Sequence, residues 1–151
     1  MQLTEDIKKY IDQSVLCWLA TASPDNIPNV SPKEIFMVYD EETIIIANVA
    51  SPQTAKNIKQ NPNICLSFVD VLVQKGYQLK GKAAVVYKRD EEFSALETPI
   101  LKITQGKFPF TSIFKITVES AKPILAPRYV LYPDETSEAS QIESAKKSYG
   151  F

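Results

Sequence analysis

The sequence predicts a mainly β fold, an antiparallel β-barrel with short peripheral helices, and three observations carry that reading. About six or seven runs rich in Ile, Val, Phe and Tyr are bounded by Pro, Asn, Asp or Gly. Short polar turns join several of them, and no long helix recurs between successive runs, as a doubly wound parallel sheet would require. Closure into a barrel also removes sheet edges that would otherwise stay exposed. The 151 residues suit one domain with a real core, read here as residues 1–151 with a polar C-terminal extension from about position 133.

At the N-terminus, Thr4 is placed to cap a short helix whose Ile7, Tyr10 and Ile11 form one apolar stripe. The dense run "SVLCWLATA" reads as a strand, and "SPDN" as the turn after it. "IPNVSPKEIFMVYD" resumes an extended pattern, with Pro28 and Pro32 marking an edge or a bulge. "DEE" then turns the chain into "TIIIAN". "NICLSFVDVLV" and "GYQLKGKAAVVYK" are strand-like, and in the latter Tyr77, Leu79 and Gly81 share one face while Gln78 and Lys80 share the other. Asp90 is expected to open an acidic helix that Pro99 divides, and "TSIFKITVESAKPILAP" to form a further strand. From Pro133 the chain is mostly polar and is expected to be exposed, closing with a short helix around "SQIESAKKS".

Composition excludes several function classes. The 17 basic and 18 acidic side chains leave a formal net charge of −1, which argues against a nucleic-acid partner. No apolar run reaches the roughly 20 residues that span a bilayer, and no secretory leader pattern is visible, so a cytoplasmic protein without a membrane partner is expected. Cys17 and Cys65 sit in apolar runs and read as buried thiols rather than a disulfide framework. Histidine is absent, which removes Ser-His-Asp and Cys-His nucleophiles, His-rich zinc sites and a histidine base. No metal site is expected. An enzyme of this composition would rely on a cofactor for its chemistry. Glycines stand only at 76, 81, 106 and 150, so neither a dinucleotide fingerprint nor a P-loop can be written.

The junction "ANVASPQTAKNIKQNP" is the most informative stretch. Ser51-Pro52 is a helix-start signal, with serine at the cap and proline in the first turn. First-turn amides, the hydroxyls of Ser51 and Thr54, and Lys56 could together hold a phosphate. The same residues also suit a plain surface helix, and this window alone leaves both readings open.

The order of pieces across roughly residues 5–120 narrows the choice. "WLATASPDNIPNVSPKEIFMVYDEETIIIANVASPQTAKNIKQNPNICLSFVD", followed by "GYQLKGKA", resembles the pyridoxamine 5′-phosphate oxidase-like, FMN-binding split-barrel proteins. The resemblance implies an antiparallel split β-barrel that forms a homodimer, with FMN in grooves at the subunit interface. Carried over by position, Ser51, Thr54, Lys56 and Asn57 fall on the phosphate-side segment, and Asn48 at the end of the strand leading into it. Val30, Ser31 and Lys33 fall where the second strand runs beside the flavin, and Gln78 on a later strand that touches the flavin or its ribityl chain. Trp18 is expected in the core or at the dimer interface, and Arg128 and Tyr129 are weaker candidates for reaching the partner's flavin.

Departures from the true oxidases shape the functional expectation. Those enzymes resemble this chain in the barrel but carry arginine-rich phosphate motifs and a late Arg/His substrate segment. Here arginine occurs only at Arg89 and Arg128, so formation of pyridoxal phosphate is not expected. The missing histidine argues equally against the haem-degrading relatives. The expectation is a small oxidoreductase that uses bound FMN, with Lys33 as the candidate to stabilise charge on the reduced flavin and no catalytic acid or base identified. A non-catalytic FMN-binding electron carrier and a deazaflavin-dependent reductase remain as alternatives.

Overall fold

The computed structural model describes residues 1–151. Seven strands form one antiparallel sheet: β1 (Cys17–Ala22), β2 (Pro28–Lys33), β3 (Phe36–Val38), β4 (Thr43–Asn48), β5 (Asn63–Asp70), β6 (Lys75–Tyr87) and β7 (Ser112–Leu125). Their order is β2-β1-β5-β6-β7-β4-β3, a curled half-barrel that confirms the mainly β, split-barrel expectation. Five helices decorate it: α1 (Glu5–Gln13), α2 (Pro52–Gln60), α3 (Phe93–Thr104), α4 (Pro127–Leu131) and α5 (Glu138–Tyr149). None is long and apolar enough to cross a membrane.

The main core lies inside the curl. Alternate residues of the central strands point inward, among them Leu19, Leu66, Phe68, Leu79, Ile116 and Val118, and α1 closes one side with Leu3, Ile7, Tyr10 and Ile11. Thr4 caps α1 as expected, its hydroxyl accepting from the Ile7 amide at 3.2 Å. β4 is buried on both faces. Ile44 and Ile46 enter the main core, while Ile45 and Ala47 face a second cluster built with Phe93, Leu96 and Ile100 of α3. That is why "TIIIAN" reads as a continuous apolar run instead of an alternating one.

Three expectations change. Pro99 sits within α3 and does not divide it. Proline removes one intrahelical bond, to the carbonyl of Ala95, an exposed position open to solvent, and the buried Phe93, Leu96 and Ile100 keep the helix continuous. Asp90 precedes the helix instead of opening it, and its carboxylate accepts from the Tyr87 amide at 2.7 Å in a turn. The C-terminal segment is mostly exposed, yet α5 is longer than expected and docks through Gln141 and Ala145, with Lys75 and Glu138 paired at 3.0 Å.

The long β6–β7 ribbon is the frame on which the barrel hangs, and its glycines are sterically imposed. A Cβ on Gly81 would lie 2.1 Å from the Thr117 carbonyl oxygen, and one on Gly76 would lie 1.9 Å from that of Phe68. The strand register also shifts between Lys80 and Gly81, so the bulge and the close approach coincide. Gly81→Ala is therefore expected to destabilise the protein by about 2 kcal/mol or more. Chemical denaturation would check this, and an unchanged midpoint would contradict the close approach.

Candidate functional site

Lys33 ends β2 with its side chain directed inward. It is only 6% exposed, because its inward-facing neighbour across the β1–β2 ladder is fully buried Cys17. The ammonium donates to the Ser31 hydroxyl at 2.7 Å and to the Ser51 hydroxyl at 2.5 Å. The ion pairs of the structure all involve other residues. A buried ammonium satisfied by neutral hydroxyls alone is a site of uncompensated positive charge. Burial pulls its ionisation below the usual lysine range, with Cys17 opposing in part. The same burial pushes the Cys17 thiol up to about 12.

The start of α2 is arranged around this ammonium. Ser51 occupies the cap position expected of it, but its side chain makes no capping bond; the hydroxyl accepts from Lys33 instead. Pro52 has no amide hydrogen, so Gln53 and Thr54 carry the first-turn donors, without a side-chain cap, at the positive end of the helix. Thr54 is buried, its hydroxyl 3.5 Å from that of Ser31. Asn48 fixes the turn by accepting from the Ser51 amide at 3.0 Å and donating to the Ser112 hydroxyl at 2.9 Å.

Ser31, Lys33, Ser51 and Thr54 are thus brought together. Asn48 stands behind them as a support, and so does Asn57, which is buried, donates to Thr21 at 3.0 Å and accepts from Gln53 at 2.9 Å. Lys56 is not in the group; it is exposed on the outer side of α2. Val30 is exposed on the sheet face opposite Lys33, since residues alternate along β2. Gln78 lies on that same outer face, in a row that runs Pro32, Trp18, Ser67, Gln78, Lys122 across the paired strands. Trp18 is 48% exposed there, which removes the core alternative. Cys65 is half-buried and not buried as expected, because it too faces outward, whereas Cys17 faces in. Tyr129 donates its hydroxyl to the Val73 carbonyl at 2.7 Å and Arg128 is exposed on α4.

A cleft of about 370 Å³ opens beside Lys33 and Ser51, walled mainly by Leu16, Pro32, Ile35, Ala47, Val49 and Phe108, with the exposed Glu34 as its one carboxylate. One cationic, hydroxyl-rich end and apolar walls suit a ligand with an anionic group and a flat apolar body. Phe108 was missed in the sequence; "QGKFPF" pairs an aromatic with flanking Gly and Pro, a loop signature with nothing in it to point toward a cleft. Leu16 also borders a second, smaller depression with Val15, Trp18, Val69 and Val71, so the cleft runs into an exposed apolar face.

Replacing the charge tests the geometry directly. Lys33→Met is expected to hold or raise stability by about 1 kcal/mol at neutral pH, since it removes a buried charge without a counter-ion. Because the folded-state ionisation is lowered, the unfolded chain binds more protons between the two ionisations, and wild-type stability rises with pH in that window. The advantage of Lys33→Met over wild type should therefore shrink as pH rises from 7 toward the usual lysine range, about 10.4. Urea titrations across pH would show it, and a pH-independent gap would contradict it.

Comparison with known proteins places this geometry in context. A family model described as pyridoxamine 5′-phosphate oxidase matches residues 3–128. An uncharacterised protein of Methanocaldococcus jannaschii is 33% identical over 99 residues, and the chain spans 64% of that relative's length, as the match spans 64% of this chain. The crystal structure of HupZ from Group A Streptococcus is similar with a TM-score of 0.67 and 27% identity, covering 79% of this chain and 91% of that one. An FMN-binding protein from Syntrophomonas wolfei shares the fold at a TM-score of 0.65 and 16% identity, covering 79% and 84%.

Proposed function

Because the chain belongs to the pyridoxamine 5′-phosphate oxidase family, we propose that it is an FMN-binding flavoprotein, a small oxidoreductase that works as a homodimer in the cytoplasm. One observation carries the reading: the buried Lys33 ammonium, without a carboxylate partner, meets the hydroxyls of Ser31 and Ser51 at the mouth of an apolar-walled cleft. A phosphate there would supply the missing counter-charge and take hydrogen bonds from Lys33, Ser51, Thr54 and the first-turn amides of α2. The apolar walls would take the flavin ring, and FMN when bound supplies the redox chemistry. On this reading Lys33 serves the phosphate end.

The substrate is not a pyridoxal-type phosphate. Neither arginine lines the cleft: Arg89 lies over the Tyr87 ring at 4.4 Å and Arg128 is exposed on α4. A second reading, an electron carrier without its own substrate, shares the same site and differs in whether reduction requires a protein partner. Free Cys17 and Cys65 suit a reducing compartment.

The homodimer reading rests on the outer apolar face. Val15, Trp18 and Val71 are each close to half exposed or more, and this patch joins the cleft through Leu16. A second copy docked on it would cover Trp18 and bring its own outer face, with Gln78, alongside the cleft.

Three experiments test these statements. The purified or reconstituted protein should show the flavin band near roughly 450 nm and release FMN on denaturation; failure to bind FMN on reconstitution would sink the proposal. Lys33→Met should weaken FMN at least about tenfold. Wild-type affinity should fall as pH rises through the lowered Lys33 ionisation, and the Met variant should lack that dependence. Trp18→Glu should shift the protein to monomers in light scattering and weaken FMN in parallel. A dimer of undiminished stability in that variant would remove this face from the interface.

A further inference from the structure

Phe108 stands out in the loop between α3 and β7. Its ring is 55% exposed, and its backbone lies at φ 58°, with Gln105 at 53° and Gly106 at 77° just before it. A left-handed conformation is natural for glycine and unfavourable for a bulky aromatic. The hydroxyl of Thr104, buried at the end of α3, has no hydrogen-bond partner. The loop therefore carries strain at Phe108, follows an orphaned polar atom at the end of α3, and holds a large apolar side chain in water. Folding gains nothing evident from this arrangement.

The contrast with Phe110 locates the purpose. Phe110 is buried and packs its ring 6.3 Å from that of Phe93, anchoring the loop to α3. Phe108, two residues earlier, is left free to line the cleft together with Lys33 and Ser51, its cationic part. We infer that Phe108 is a specificity-determining residue, the aromatic wall on which the planar ring of a bound phosphate ester packs, so that the cleft selects flat aromatic phosphates over aliphatic ones. This rests on the FMN reading above and adds the residue that recognises the ring. The loop strain is then the cost of presenting an aromatic face before the ligand arrives.

The test separates ring recognition from anion recognition. Binding of FMN is measured by flavin fluorescence, and inorganic phosphate is measured as a competitor, in wild type, Phe108→Ala, Phe108→Gly and Phe108→Tyr. Phe108→Ala should weaken FMN about tenfold with the phosphate inhibition constant unchanged, and Phe108→Tyr should restore affinity. Phe108→Gly should lose FMN equally while melting at the same or a higher temperature than wild type, an outcome that a merely structural phenylalanine would reverse. If wild type binds FMN and Phe108→Ala binds it as tightly, the ring assignment is overturned and the FMN reading stands. If wild type binds no FMN, both fall together.

Discussion

A charge buried without a counter-charge organises this protein's candidate site. Lys33 is held inside the end of the half-barrel by neutral oxygens alone, and a hydroxyl dipole offsets only part of the cost of desolvating an ammonium. Lysine can respond by shedding its proton or by acquiring an anion, and burial lowers its ionisation in the direction of the first. Everything around it favours the second. Ser51 turns its oxygen to the ammonium, so the helix start goes uncapped by its own side chain, and the bond that the Ser51 amide donates to the Asn48 side chain keeps it so. Two sources of positive potential, the ammonium and the first-turn amides of the helix end, then converge on one spot.

The barrel makes this convergence possible because it is split. β2 and β3 are the two edges of the sheet, and the connector between them meets β4 through the Ala47 amide, which donates to the Ile35 carbonyl at 3.0 Å. The cleft sits at that seam, lined by residues from the ends of β2 and β4. Its position is fixed from behind by the double burial of β4 and by the ladder between Asn48 and Ser112. A seam of this kind gives backbone ends and loop residues a place to meet without breaking the core ladders.

The parts of the fold that were legible in the sequence are those ruled by local pattern. Alternation in "GYQLKGKAAVVYK" and the apolar block "TIIIAN" gave strands, and Thr4 gave a cap, because each depends on neighbours in the chain. Alternation tells which residues share a face but not which face is inside. That is why Gln78 and Val30 were grouped with Lys33 although the sheet puts them on the other side. Ser51 looked like a cap because its competitor for the hydroxyl, Lys33, is 18 positions away. Phe108 was invisible for the same reason: nothing within its own loop refers to β2 or α2, and only the packing of Phe110 on Phe93 brings it to the cleft. Pro99 looks like a helix break in the sequence but is not one, since a single lost backbone bond on an exposed turn is weaker than three buried side chains.

Two features of the chain thus run against its own stability: the unpaired charge and the strained aromatic that line the cleft. Natural proteins carry such penalties where function requires them, and elsewhere selection has no reason to keep them. The penalties also differ in kind. The first is electrostatic, answered by an anion of any shape, while the second is steric and apolar, answered by a flat surface of any charge. A ligand that answers both at once binds a pocket whose ordering was completed during folding, so less of its interaction energy is spent on arranging side chains. The site is therefore selective through conjunction: neither a free phosphate nor an uncharged ring meets more than half of what the cleft has prepared.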